Sequence, residues 1–190
     1  MEGLFQDLVS GIDEKAEKAC AGLRIFGNRA IERLIELLKN DNADIRWWAI
    51  RALVEFDQSL IITISILKAL EDRSRDVRQA AAMAFYIHPN SLALKSLIKA
   101  LSDEDRMTAK IASNALIKLG KEATSSLLQE LKTGTSSSRI EAARALAAIK
   151  DPQSIKQMIN SLEDGSALEN YWINLGLENM GVGIVYFPPE

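Results

Sequence analysis

Few side chains in this 190-residue sequence could perform acid–base, nucleophilic or metal chemistry. It holds one histidine, His88, and one cysteine, Cys20, so a catalytic triad has no second histidine and a multi-cysteine metal site cannot form. The "HPN" that begins at His88 predicts a helix end with a partly buried ring, and Cys20 fits a small core residue. We therefore expect no catalytic residue, no metal site and no cofactor.

Side chains suited to binding a partner are easier to find than catalytic ones, and the stretch DNADIRWWAIRALVEF at residues 41–56 contains several. It places Trp47 beside Trp48 in a segment with helical spacing of alanine and arginine. Because neighbours on a helix point about 100° apart, the two indoles are predicted to serve different surfaces. Trp47 precedes Arg51 by one turn, and aromatic residues with arginine are typical of interface hot spots. Trp47 is predicted to contact a partner, and Trp48 to fill the seam between neighbouring helical units.

The elements that position these residues repeat along the chain. A leucine recurs at intervals of 30 to 32 residues, and small residues recur eleven and fourteen positions after it. An apolar helical pattern precedes each leucine, so each repeat unit is predicted to be two helices, A and B, joined by a polar turn. The six anchors are Leu8, Leu38, Leu70, Leu101, Leu131 and Leu162.

Stacked helical pairs are predicted to form the fold, because an isolated pair cannot cover its own apolar face. We expect an all-α protein, a curved α-solenoid of about six helical hairpins in a single domain. The predicted units are residues 1–27, 28–57, 58–89, 90–120, 121–150 and 151–181, followed by a tail at 182–190. Within this apolar tail, residues 184–187 are predicted to fold back as a cap. The alternative is that the tail docks onto another molecule, including a second copy.

Two segments carry a sharper signature, DNADIRWWAIRAL and RSRDVRQAAAMAF. Each has an aspartate, a branched aliphatic residue and an arginine before spaced alanines, at 44–46 and 76–78. This pattern resembles the HEAT-like repeats of phycobilin (PBS) lyase subunits and related scaffold proteins, over nearly the whole chain. Later units depart from it: residues 107–109 and 168–170 replace the triplet, and Arg139 alone survives in the fifth. The resemblance implies a repeat scaffold, with bilin handling as an alternative.

A stripe on the B helices lies opposite their packed face, at the ninth, thirteenth and sixteenth positions after each anchor. If the array curves as related ones do, this stripe lines the concave surface. From the second unit to the sixth, nine of its fifteen residues are apolar or aromatic, three are basic and one is acidic, unlike a merely solvated face. The predicted partner-binding residues are Trp47, Arg51, Val54, Met83, Tyr86, Lys110, Asn114, Ile140, Arg144, Tyr171 and Leu175.

A second apolar patch is predicted in SLIITISILKAL, which carries no charge from Ser59 to Leu67. Ile64 aligns with polar residues of other units on the outer side, and Ile61 lies about one turn before it. We predict that Ile61 and Ile64 serve self-association or a second partner. Burial by a terminal segment is the alternative.

Arginines recur at the eighth position, as Arg46, Arg78 and Arg139. A phosphate clamp would need them exposed, but each falls at the edge of the packed face. Asp44 and Asp76 precede the first two by two residues. We therefore predict an Asp–Arg ladder that links successive units.

Composition limits the classes of function. With 26 acidic and 23 basic residues, a net charge of −3 argues against binding nucleic acid through a broad basic surface. No apolar run approaches the length of a membrane span. A single cysteine and no recognisable secretory leader predict a cytoplasmic protein.

The leading prediction is a non-catalytic scaffold that binds a segment of another protein on its concave face, with Arg51, Lys110 and Arg144 meeting carboxylates. The resemblance supplies the alternative of a phycobilin lyase subunit or bilin-binding chaperone. There the tetrapyrrole would contact Trp47, Tyr86 and Tyr171. A nucleic-acid binder of the HEAT-like DNA glycosylase type is less favoured, since three bases are few for phosphate contacts.

Overall fold

The computed structural model describes residues 1–183, which form α-helices and short turns with no strand among them. Short 3₁₀ turns precede α3, α7, α9 and α11. The predicted all-α repeat class is confirmed. The helices are α1 (Glu2–Leu8), α2 (Asp13–Leu23), α3 (Asn28–Leu37), α4 (Ala43–Leu53), α5 (Leu60–Ala69), α6 (Arg75–Ile87), α7 (Leu94–Ala100), α8 (Arg106–Leu119), α9 (Thr124–Thr133), α10 (Ser136–Ile149), α11 (Ile155–Asn160) and α12 (Ala167–Asn179).

The chain divides into two compact halves, an N-terminal half, Met1–Ala93, and a C-terminal half, Leu94–Glu190. In the N-terminal half α1 pairs with α2, α3 with α4 and α5 with α6, while α4 packs between α2 and α6. In the C-terminal half α7 pairs with α8, α9 with α10 and α11 with α12, while α10 packs between α8 and α12. The even-numbered helices are the predicted B helices. The residue bounds of the six units and their union in a single domain stay predictions.

Small residues set the spacing between neighbouring B helices. Apart from the partly buried Gly22, those at the eleventh and fourteenth positions are buried, as Ala49 and Ala52 are on α4. At the fourteenth position of the last unit, a Cβ on Gly176 would lie 2.8 Å from the Cα of Ala147. Helices α10 and α12 therefore approach each other more closely than any side chain at position 176 would allow.

The turns before the first four B helices share one hydrogen bond. A polar side chain two residues after the anchor accepts the backbone N–H of the N-cap residue, which directly precedes the next helix, so that donor is satisfied. The acceptor and donor pairs are Ser10 with Ile12, Asn40 with Asn42, Asp72 with Ser74, and Asp103 with Asp105. The polar turns seen in the sequence are thus specific helix-start signals.

The one histidine and the one cysteine of the sequence lie in the kinds of position predicted for them. His88 follows the last residue of α6, and its Nε2 lies 3.0 Å from the carbonyl oxygen of Val54. Cys20 is buried in α2, and burial raises the pKa of its thiol to about 12. Both predictions, a partly buried turn histidine and a core cysteine, are confirmed.

The end of the last hairpin is described only in part. Helix α12 ends at Asn179, and Gly181 follows with a φ of 79°, a conformation that glycine adopts freely. The predicted cap at residues 184–187 lies outside the described residues. Through residue 183, the chain contains no helix with both the length and the apolar character needed to cross a membrane.

Candidate partner-binding surface

Two helices position the stripe of the N-terminal half. Helix α4 carries Trp47 and Arg51 at i and i+4, and Val54 directly follows its last residue at i+7. Each of the three is partly exposed. On the neighbouring α6, Met83 is 40% exposed and Tyr86 is 37% exposed. The structure therefore brings these five residues together on adjacent helices, as an accessible surface of mixed aromatic and aliphatic character.

The two tryptophans share one surface. Their rings meet edge to face, with centroids 4.7 Å apart and an interplanar angle of 87°. Both line the same cavity, so the prediction that the indoles serve different surfaces is wrong. Adjacent residues leave a helix about 100° apart, yet the two indole rings lie close enough together to line one cavity.

This cavity, here called the tryptophan pocket, has a volume of about 490 Å³. It lies where α2, α4 and α6 begin, and its apolar wall includes Leu8 and Val9. Three of its lining residues are carboxylates, one at the start of each helix: Asp13, Asp44 and Asp76. The sequence did not identify this pocket, because its members come from three separate units.

Arg51 is bound within the protein. Its guanidinium donates to Glu55 one turn later and, at 2.6 Å, to Glu17 of α2, and the Glu55 hydrogen bond raises the pKa of Arg51. Glu17 occupies the ninth position of the first unit, so extending the stripe by one unit would have revealed it. Arg51 is therefore matched to internal carboxylates rather than left open for those of a partner.

The stripe of the C-terminal half is carried by three helices. Lys110 and Asn114 lie on α8, Ile140 and Arg144 on α10, and Tyr171 and Leu175 on α12. Lys110 and Tyr171 are exposed, whereas the other four are partly buried.

Arg144 joins neighbouring helices as Arg51 does. It donates to Glu141 at 2.8 Å, to the side chain of Asn114 at 3.0 Å and to the carbonyl oxygen of Lys110 at 3.2 Å. Ala147, at the sixteenth position, is buried against Gly176. The stripe of α10 is thus limited to Ile140 and Arg144.

An aromatic pair recurs in the C-terminal half. Tyr171 and Trp172 meet edge to face with centroids 5.1 Å apart, at the same two repeat positions as Trp47 and Trp48. Tyr171 is 56% exposed. Each half therefore offers one edge-to-face aromatic pair on a B helix.

The predicted ladder exists, but its acid differs from the one expected. Arg46 is 4% exposed and pairs with both carboxylate oxygens of Asp72, at 2.6 and 2.8 Å. Burial raises the pKa of Asp72, but the hydrogen bonds from Arg46 and the Ser74 N–H outweigh it, so the pKa is lowered. The partner is the acid of the next turn rather than Asp44, which lines the tryptophan pocket.

A second rung lies in the C-terminal half. Arg139 donates to Glu169 of α12 at 2.6 Å, and the other Glu169 oxygen accepts the Ser166 N–H at 2.9 Å. Ser166 in turn caps α12 through the Glu169 N–H, which completes a capping box. Burial raises the pKa of Glu169, but these hydrogen bonds outweigh it and lower the pKa. Arg78 also hydrogen-bonds to the turn before α6, through the carbonyl oxygen of Asp72.

The second patch is exposed. Ile61 is 56% exposed and Ile64 is 44% exposed, and Leu60 beside them is 62% exposed. The sequence did not single out Leu60, although it begins α5 and lies in the same uncharged run.

Family models match most of the chain. Residues 2–85 and 63–138 match the model for HEAT repeats. The chain belongs to the HEAT repeat family. Residues 138–164 of this HEAT protein also match the model for the PBS lyase HEAT-like repeat. The resemblance inferred from the two Asp-aliphatic-Arg segments is thus confirmed, whereas no curated protein sequence matches the chain.

Solved structures share the fold at low sequence identity. An engineered protein is 22% identical, with a TM-score of 0.57 over 96% of this chain and 97% of that one. A designed armadillo repeat protein in complex with the peptide (KR)4 is 19% identical, with a TM-score of 0.54 over 94% and 98%. Computationally designed armadillo repeat proteins for modular peptide recognition are 20% identical, with a TM-score of 0.53 over 93% and 98%. These likenesses show an α-solenoid fold and no more.

Proposed function

We propose that this HEAT protein is a non-catalytic scaffold that binds a segment of another protein along the stripe of its B helices. The observation that carries the proposal is the exposed aromatic and aliphatic surface formed by Trp47, Met83 and Tyr86 on adjacent helices. Exposed apolar side chains clustered in this way usually mark an interaction site. Tyr171, Leu175 and Ile140 extend the proposal to the C-terminal half.

The paired arginines refine how such a surface would work. Because Arg51 and Arg144 are matched to internal carboxylates and carbonyls, they hold the stripe in shape. Binding energy would then come chiefly from aromatic and aliphatic contact, with Lys110 available to a partner carboxylate. Designed armadillo repeat proteins of the same fold bind peptides, which supports the capacity of the fold for this role.

Site-specific photo-crosslinking tests the proposal. A photoreactive amino acid at Met83 should capture a partner in an extract of the native cell. The same group at Ile25, which is 82% exposed and off the stripe, is the control. The Trp47→Ala/Tyr86→Ala variant, with the label at Met83, should lose the captured band. The scaffold proposal fails if both positions capture the same proteins, or if the variant captures as well as the parent.

A bilin-handling role is the second candidate, because residues 138–164 match the PBS lyase HEAT-like repeat. A buried thiol with a raised pKa makes Cys20 unsuited to covalent attachment. Such a role would therefore depend on non-covalent contact with Tyr171 or Trp47. An absorbance titration with a free bilin tests it, and no spectral shift at micromolar protein would remove it.

Self-association through Ile61 and Ile64 is a further proposal, supported by their exposure beside Leu60. Ile64→Lys should lower the mass measured by sedimentation velocity or weaken binding of a second partner. Ile25→Lys adds the same charge at another exposed isoleucine and should change neither. If Ile64→Lys behaves like Ile25→Lys, the patch is unused surface.

A further inference from the structure

We propose that the tryptophan pocket binds the cationic side chain of a lysine or arginine on the partner segment. The inference rests on the proposed function, because it assigns one subsite of the same surface. It gives the partner segment a definite chemistry. Its positive charge would lie at the N-terminus of α4, and its neighbouring apolar side chains would contact Met83.

The indole pair supplies one half of the recognition. In an edge-to-face pair, the ring that contributes its edge keeps both of its faces clear of the other ring. A face of this kind attracts an ammonium or guanidinium group through the ring quadrupole, and tryptophan does so more strongly than other aromatic residues. Both indoles line the pocket and both are partly exposed.

Carboxylates supply the other half. Asp13, Asp44 and Asp76 are exposed, and each lies in the first turn of a different helix. Each helix start contributes about half a positive charge, so three carboxylates leave the pocket rim negative by roughly one and a half charges. Among residues 1–183 their ion pairs are limited to that of Asp76 with Arg75, at 3.7 Å between largely exposed side chains. The rim therefore has negative charge to offer an incoming cation.

The shape of the site favours an organic cation over a metal ion. In the described part of the chain, these carboxylates do not converge closely enough with any others to hold a metal. The volume of about 490 Å³ fits a side chain rather than a single ion. Val9, which is exposed, offers an apolar wall along which the methylene stem of lysine or arginine would lie. Charge complementarity thus points to a basic segment of another protein.

Peptide pools provide the probe. Two fluorescent pools of random-sequence peptides share a fixed central position, which holds arginine in one pool and the uncharged isostere citrulline in the other. Fluorescence polarisation with the full chain should show the arginine pool binding about five- to thirty-fold more tightly. The variant Asp13→Asn/Asp44→Asn/Asp76→Asn should remove that preference and leave binding of the citrulline pool unchanged. Equal binding of the two pools by the parent chain, or no binding of either at millimolar peptide, would overturn the inference.

A matched control separates the pocket from overall charge. Asp7→Asn/Glu32→Gln/Glu36→Gln removes the same number of carboxylates from the A helices α1 and α3 and should keep the arginine preference. If this control loses the preference equally, only long-range charge is at work and the pocket is not the site. A Met83→Glu variant tests the stripe itself. If both pools bind equally and Met83→Glu abolishes their binding, the cation subsite is wrong while the scaffold proposal stands.

Discussion

Each half links two neighbouring repeats through a buried or partly buried ion pair, here called the joint, and the two joints use different acidic residues. In the N-terminal half Arg46 pairs with Asp72, which lies in the turn, two residues before Ser74, the N-cap residue of α6. In the C-terminal half Arg139 pairs with Glu169, which lies three residues after Ser166, the N-cap residue of α12. Both acids also accept the backbone N–H of the N-cap serine that precedes the helix, Ser74 or Ser166.

The difference teaches what the joint requires. One carboxylate must reach both the N–H at the helix start and the arginine of the preceding hairpin, and an acid on either side of that N–H can do so. Water access differs, since the Arg46 side chain is 5% exposed and that of Arg139 is 25% exposed. An arginine sealed from water depends more on its acid than one that water can reach.

The largest effect is expected for Asp72→Ala. It leaves the Arg46 guanidinium buried with two carbonyl oxygens and no carboxylate, and the free energy of unfolding should fall by about 3 kcal/mol. Urea unfolding of the full chain measures the loss. Because Cys20 is the one cysteine and is buried, its labelling by a thiol reagent reports opening of the N-terminal half and should speed up about a hundredfold.

The double variant Arg46→Met/Asp72→Leu is the control for this prediction. It removes both charges and should be more stable than Asp72→Ala, since no unpaired charge remains. If Asp72→Ala lowers the free energy of unfolding less than the double variant does, the unpaired Arg46 charge is not what destabilises Asp72→Ala.

Glycine at the fourteenth position gives the next contrast. A methyl group on Gly176 would meet backbone of α10 at 2.8 Å, whereas one on Gly22 would meet only the end of the Leu4 side chain at 3.2 Å. Gly176→Ala should therefore cost about 2 kcal/mol through overpacking. Gly22→Ala should gain about 0.5 kcal/mol from helix propensity as Leu4 shifts. Thermal unfolding of both variants checks the opposite signs, and two losses of equal size would show that spacing in the two halves is alike.

Glu169→Ala should be milder than Asp72→Ala. It removes the capping box and the ion pair, but Arg139 can turn toward water, so the expected loss is about 1.5 kcal/mol. The same urea experiment measures it, and Cys20 labelling should change little because the substitution lies in the other half. A loss as large as that of Asp72→Ala would contradict the role given to water access.

The repeat was predictable from sequence because its signals are local. Small residues at the eleventh and fourteenth positions set helix contacts, and the uncharged run of α5 exposes Ile61 and Ile64 as expected. The acidic partners of the arginine ladder were harder to predict, because Arg46 pairs with an acid of the next turn rather than with Asp44 of its own motif.

The candidate site was predictable only in outline. Counting positions placed Trp47 and Met83 on adjacent helices, but it treated each side chain as a direction from its own backbone. The direction of an indole and the pairing of Arg51 with Glu17 depend on neighbours from other repeats. Such contacts between repeats create the tryptophan pocket, so a reading of one unit at a time could not reveal it.

The smallest effect tests the joints through pH. The pKa of Asp72 and that of Glu169 are lowered in the folded state, so each carboxylate stabilises the fold above its unfolded pKa of about 4. This stability is lost as the pH falls through the folded values, because protonation then breaks the pairs with Arg46 and Arg139. Between about pH 5 and pH 3, the melting temperature of Asp72→Asn/Glu169→Gln should therefore fall less than that of the parent. Glu32→Gln/Glu122→Gln makes the same charge change at exposed positions and should keep the slope of the parent. The single variants complete the comparison: if Asp72→Asn flattens the acid slope no more than Glu169→Gln does, the more deeply buried joint is not the stronger one.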